Sequence, residues 1–203
     1  VFVGHQALRT FVMGDDAWTR AATADERARM AAVLDDALTV GGLGFSTTFM
    51  DTDRDNREVP SRRADDAELD ALVGVLARHP GTTLQFVPRF MQAEHWQDDL
   101  DRLTAAAHRH GVRTTWAALR PTHQWAQESR TRLDVSREWR ARGAGLWPCF
   151  SAAPTYVNLH FDRSIMWHGV PAWHELVNGP NAEKTRLLTD DAWRARARAD
   201  WDA

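Results

Sequence analysis

Apolar and polar positions change their period several times along the chain, and each change marks an element. Val1-Phe2-Val3 is a short apolar run ending in Gly4-His5, the pattern of a buried strand. Between Asp25 and Thr39, residues Met30, Val33, Leu34, Ala37 and Leu38 recur at helical spacing. Thr23 with Glu26 three residues later forms a capping box before that helix, and Gly41-Gly42 ends it. Leu43 to Thr47 reads as the next strand, and residues 48–64, polar and broken by Pro60, as a long loop. Asp65 to His79 is helical, with Leu69, Leu72, Val73 and Leu76 on one face. Thr82 to Val87 is a strand. Ala93 to His110 is a helix with Trp96, Leu100 and Leu103 inward, and Val112 to Leu119 is a further strand. Gln124 to Arg142 follows as a helix and Leu146 to Ser151 as a strand, which Pro148 weakens. Beyond it, Pro154 to Arg163 reads as irregular, and Val170 to Asn178 and Asp190 to Asp202 as helices. Trp193, Ala197 and Trp201 share one face of the last of these.

Five strands alternating with helices imply βαβ crossovers and a parallel sheet, with helices on the outside. A unit length of roughly 30 to 40 residues suits a βα unit. Two architectures fit: an open doubly wound sheet, or part of a (β/α)8 barrel. The chain reads as a single domain over 1–203, with 152–203 an irregular and helical extension of it.

Composition narrows the function classes. The 43% hydrophobic content and net charge of −3 exclude a disordered chain. No apolar run approaches the ~18 residues of a membrane span. A net acidic chain is a poor general binder of nucleic acid. The single cysteine, Cys149, forms no internal disulfide, and no basic segment followed by an apolar one opens the chain. A cytoplasmic protein with neither a nucleic-acid nor a membrane partner is expected. Lys184 is the one lysine among 25 basic residues, which points to coding bias rather than function.

In both architectures function gathers at the C-terminal ends of the strands. That places His5, Ser46, Thr47, Gln85 and Trp116 as candidates for a substrate pocket. A neutral imidazole at His5 can ligate a metal, bond a substrate carbonyl or hold a neighbouring strand. Ser46 and Thr47 can bond a polar group, but no G-x-S-x-G elbow surrounds them. Asp51, Asp53 and Asp55 form D-x-D-x-D without the glycine and final glutamate of a calcium loop. His108 and His110 have the shape of a metal pair, yet they close a helix on the side of the sheet opposite the βα loops. Cys149 reads as a buried small hydrophobe, and as a nucleophile only with a histidine and an acid beside it.

The sequence resembles the amidohydrolase superfamily, in particular the N-acyl-D-amino-acid deacylases (D-aminoacylases). The resemblance rests on V-G-H-x-A-L-R (Val3 to Arg9), F-V-M-G (Phe11 to Gly14), R-A-A-T-x-x-E (Arg20 to Glu26), G-x-L-G-x-S-T (Gly41 to Thr47) and Val59-Pro60-Ser61. It is strongest over residues 1–80. It implies a metal-dependent (β/α)8 barrel, of which this chain would be an internal fragment resembling strands three to seven. It further implies zinc or another divalent metal in the full-length enzyme, and allows for none in this fragment. The family's metal-ligating histidines on strands five and six have no counterpart in T-L-Q-F-V-P and T-T-W-A-A-L, where Gln85 and Trp116 stand. His5 and His123 are the remaining metal candidates. The implied function is hydrolysis of a non-peptide C–N bond, the amide of an N-acyl-D-amino acid or a related small molecule, by a metal-activated water. The family's general base, an aspartate, belongs to a strand outside this chain, so the fragment alone is expected to be inactive. The alternative is a non-catalytic module, derived from the barrel, that binds a small molecule or a partner after its metal site has degraded.

Overall fold

The computed structural model describes residues 1–53, 57–90, 95–117, 119, 126–150, 167 and 170–202. Five strands form one parallel sheet: β1 (Phe2–Gly4), β2 (Gly44–Thr48), β3 (Thr83–Val87), β4 (Arg113–Trp116) and β5 (Leu146–Pro148). Their spatial order is their chain order. A doubly wound sheet would reverse direction at a switch point, and none occurs here. Right-handed crossovers taken always in one direction lay the helices on one face. That is the arrangement of a barrel wall, and it removes the open-sheet alternative.

The crossings are made by α1 (His5–Met13) with α2 (Ala24–Thr39), then α3 (Asp66–Ala77), α4 (Trp96–Arg109) and α5 (Ala126–Ala141). The capping box of α2 is present in full: Glu26 N donates to Thr23 Oγ1 at 3.3 Å, and Thr23 N to Glu26 Oε2 at 2.8 Å. The helix-facing side of the sheet presents Phe45, Leu84, Phe86, Trp116 and Leu146 to Leu34, Leu69, Leu72, Leu100 and Leu103, all buried in one core. The opposite face carries the alternate residues. Gly4, Ser46, Gln85, Thr115 and Trp147 are aligned across it by register.

The elements depart from the sequence pattern at four places. The sequence pattern marks no helix between Gly4-His5 and Asp25; α1 follows β1 directly, with His5 as its first residue. β4 and β5 are shorter than expected: β4 ends at Trp116, paired with Phe86, and β5 at Pro148, paired with Trp116. Cys149 therefore lies past the end of β5 and is exposed rather than buried. Finally, a helix at 181–189 was not anticipated. Part of the acidic loop (54–56) lies outside the described residues.

The chain divides into two compact units, 1–50 with 59–154, and 51–58 with 155–203. In the second, α6 (Pro171–Asn178), α7 (Asn181–Thr189) and α8 (Asp191–Asp202) share a small core of Ala172, Leu176, Leu187, Trp193 and Ala197. Among the described residues no helix is long and apolar enough to cross a membrane.

Candidate functional site

Strand alternation divides the sequence-derived candidates between two faces. Ser46 and Gln85 are register partners on the helix-free face and both are half-buried. Thr115 continues their row on β4. The row thus offers two hydroxyls and an amide, which can donate to or accept from a polar ligand. His5, Thr47 and Trp116 lie instead under the helices. Trp116 is fully buried, and its indole Nε1 donates to Ser136 Oγ on α5 at 3.1 Å. It supports packing between sheet and helix rather than the floor of a pocket on the open face.

His5 opens α1 at the C-terminal end of β1 and is 1% exposed. Its Nδ1 is 2.8 Å from Thr47 Oγ1, and its Nε2 is 2.7 Å from Glu68 Oε1. Its ring also meets Phe45 edge-on at 5.0 Å. Arg9, one turn further along α1, donates from Nη1 to Glu68 Oε2 and from Nη2 to the carbonyls of Ala17 at 3.2 Å and Arg20 at 2.7 Å. Burial pushes the His5 pKa below its usual 6.5 against the pull of the Glu68 carboxylate, and the Arg9 charge adds to the effect of burial. Burial alone would raise Glu68, but bonding and charge from His5 and then from Arg9 outweigh it and hold the carboxyl below its ordinary value. Arg9 and Glu68 therefore form the buried ion pair. At neutral pH His5, with its pKa below 6.5, is a neutral ring that donates Nε2–H to Glu68 and accepts at Nδ1 from Thr47. Both ring nitrogens are engaged, so neither is presented to a metal or a substrate.

Glu68 and Arg9 went unrecognised in the sequence. Asp65 and Glu68 have the spacing of a capping box, and Asp65 does accept from Glu68 N at 2.8 Å. The Glu68 side chain, however, turns inward to α1 instead of back to the cap. The motif Val59-Pro60-Ser61 has a counterpart role at the neighbouring strand: Ser61 is buried and its Oγ donates to Thr48 O, at the end of β2, at 2.5 Å. At the end of β3, Arg89 is bidentate on Asp99 at 2.8 and 2.7 Å. These bonds hold the C-terminal ends of three adjacent strands.

The described residues do not fit zinc or another divalent metal. No three of their His, Cys, Asp and Glu side chains converge as ligands. His108 and His110 have separate partners, Trp139 by edge contact at 6.3 Å and Asp70 at 3.1 Å. His123 lies outside the described residues.

No protein-family profile matches the sequence, and no curated protein matches it. Solved structures do. A D-aminoacylase that defines a novel subset of amidohydrolases matches at 24% identity and TM-score 0.59, as does a D-aminoacylase mutant in complex with copper chloride. N-acyl-D-glutamate deacylase from Bordetella bronchiseptica, complexed with zinc and a phosphonate mimic of the tetrahedral intermediate, matches at 23% and 0.56. Each match covers 72% of this chain and 29% of the other, so the chain spans less than a third of the length of these proteins. Over its five sequentially ordered strands, the chain has the α/β fold of the (β/α)8-barrel amidohydrolases.

Proposed function

We propose that this chain forms the wall of an amidohydrolase barrel that hydrolyses the amide C–N bond of a small N-acyl amino acid, with N-acyl-D-amino acids as the preferred class. The observation that supports this reading best is the sheet in sequential order, like that of two deacylases of different specificity. The contribution of the described residues is substrate binding. Ser46, Gln85 and Thr115 line the helix-free face, which in a barrel is the interior wall beneath the ligand-binding C-terminal ends of the strands, and they supply uncharged donors and acceptors there. The His5–Glu68–Arg9 network holds the first turns of α1 and α3 against β2. No step is assigned to a metal ion, because the described residues do not form its site.

A second reading is a binding module without catalysis. It is favoured by the open-face positions of β3 and β4, which carry Gln85 and Thr115 rather than metal ligands. The deciding experiment is an assay of the purified product of the whole gene on a panel of N-acetyl-D- and N-acetyl-L-amino acids, with metal content measured on the same sample. Turnover that chelation abolishes, with a higher KM in Ser46→Ala and Gln85→Ala, supports the hydrolase. Saturable ligand binding without turnover or bound metal supports the module. Neither turnover nor binding overturns both.

A further inference from the structure

Among the described residues, Arg132 is the one buried arginine outside the His5–Glu68–Arg9 network; it stands on α5 and is 3% exposed. Its Nη2 donates to the carbonyl oxygen of Phe90 and to Glu128 Oε1 on its own helix. Its guanidinium carbon lies 6.0 Å from the centroid of the Phe90 ring and 5.3 Å from that of Trp96. Phe90 is the third residue beyond β3, and Trp96 is the first residue of α4. One side chain thus touches both the turn that leaves β3 and the helix that follows it.

A buried arginine is a costly way to pack two helices. Apolar residues in place of a buried ion pair are often neutral or stabilising, so the packing of α5 on α4 does not account for Arg132. What an apolar residue cannot do is donate. Phe90 lies outside the strand pairing, and its carbonyl oxygen accepts from Arg132. The planar guanidinium fixes direction as well as distance. Next to Phe90, Arg89 donates from its backbone N at 2.9 Å, and from its side chain, to Asp99 in the first turn of α4. Residues 88–90 are therefore held from α4 and from α5. The same device recurs one strand away. Arg102, on α4, donates to Ala64 O at 2.9 Å and lies 5.6 Å from the ring of Phe49, the residue after β2.

The held turn borders the open face. Val87 ends β3 and stands two residues after Gln85, on the same side of the sheet. The turn at 88–90 leaves the sheet just beyond the row of Ser46, Gln85 and Thr115, at the end where a barrel binds its ligand. We propose that Arg132 is a positioning residue: through Phe90 it fixes the turn after β3 at the rim of the ligand site, and its loss weakens ligand binding without slowing a chemical step. The inference rests on the reading of the open face as a ligand site, which the hydrolase and the binding module share.

The test uses the purified product of the whole gene. Arg132→Met fills the space against Trp96 and Phe90 without a donor, and leaves behind only Glu128, whose side chain is 33% exposed. Its Tm should stay within a few degrees of the unaltered protein. In hydrogen exchange followed by mass spectrometry, residues 84–90 should exchange about tenfold faster, with α3 unchanged. On the panel of N-acetyl-D- and N-acetyl-L-amino acids, KM, or Kd where a compound binds without turnover, should rise about tenfold with kcat unchanged. Arg132→Lys keeps the charge and a donor and should recover part of both effects. Arg109→Gln, in an exposed ion pair with Asp70, should change neither. Exchange equal to that of the unaltered protein overturns the proposal whether or not the protein is active. Faster exchange with unchanged KM and Kd, or a loss confined to kcat, overturns the positioning role and leaves a packing contact. An unaltered protein that neither turns over nor binds the panel, while Arg132→Met still exchanges faster, marks the failure of the ligand-site reading, and the positioning role falls with it.

Discussion

The Nε2 atom of His5 lies 2.7 Å from Oε1 of Glu68, with both side chains fully buried. This contact joins the first residue of α1 to the first turn of α3 across 63 residues of chain. The charge beside it is balanced by Arg9, on the other oxygen of the same carboxylate. Removing one member of such a group is costlier than the group's net worth, because the remainder stays buried without a counter-charge.

Glu68→Ala should therefore destabilise the protein by about 3–5 kcal/mol, the usual consequence of stranding a buried charge. The stranded group is the Arg9 guanidinium, which is 0% exposed. Urea unfolding followed by far-UV circular dichroism measures the loss. A change below about 1 kcal/mol would show that solvent reaches Arg9 in the folded state.

Stability should fall on acidification, in two stages. His5 has its folded pKa below 6.5, so the unfolded chain takes up that proton first. Its contribution is complete above about pH 6.5 and is lost as pH falls toward the folded value. Glu68 is likewise depressed from 4.5, so its contribution is lost at lower pH still. His5→Gln cannot titrate, so the difference in urea midpoint between wild type and variant should shrink from pH 7.5 to pH 5.5. A difference that stays constant or grows over that interval would mean that His5 is charged in the folded protein.

The two faces of the sheet should respond differently to truncation. Ser46→Ala and Gln85→Ala remove polar groups from the half-buried open face and should change stability by no more than about 0.5 kcal/mol. Thr47→Val removes the donor to His5, and Trp116→Phe strands no donor but loses a buried bond and part of a ring. Each should cost about 1–3 kcal/mol. Thermal melts of the four variants check the split. Equal losses on both faces would place Ser46 and Gln85 in the core.

Much of this architecture was legible in the hydrophobic period. The capping box at Thr23 and Glu26, the inward faces of α3 and α4 and the alternation of strands and helices all follow from local spacing. Strand alternation also implies that Ser46 and Thr47, being adjacent, face opposite ways, so they could not have lined one pocket together. α1 was harder to see. His5, Leu8, Arg9 and Val12 have helical spacing and are all buried, but two of the four are ionisable, which hides the stripe. Glu68 was concealed by its resemblance to a capping residue. Strand order was not legible at all, since the same alternation of elements serves a wound sheet and a barrel.

The tightest steric constraint in the sheet is Gly44, the first residue of β2. It is the register partner of both Phe2 and Thr83, and its φ is 152°. A Cβ placed there would stand 2.0 Å from the carbonyl oxygen of Thr83 and 2.9 Å from its nitrogen. These are backbone atoms held in the β2–β3 pairing, so no side-chain rotation relieves the overlap. Relief requires β2 and β3 to separate at their N-terminal ends, which displaces Phe45 and Leu84 from the core they share. Gly44→Ala should cost more than the roughly 1–3 kcal/mol of ordinary overpacking. The comparison is Gly4→Ala, at the end of β1, where an added Cβ meets nothing within 4 Å. Soluble yield and urea midpoint should fall sharply for the first and little for the second. Comparable losses would show that β2 and β3 are not held in the register described.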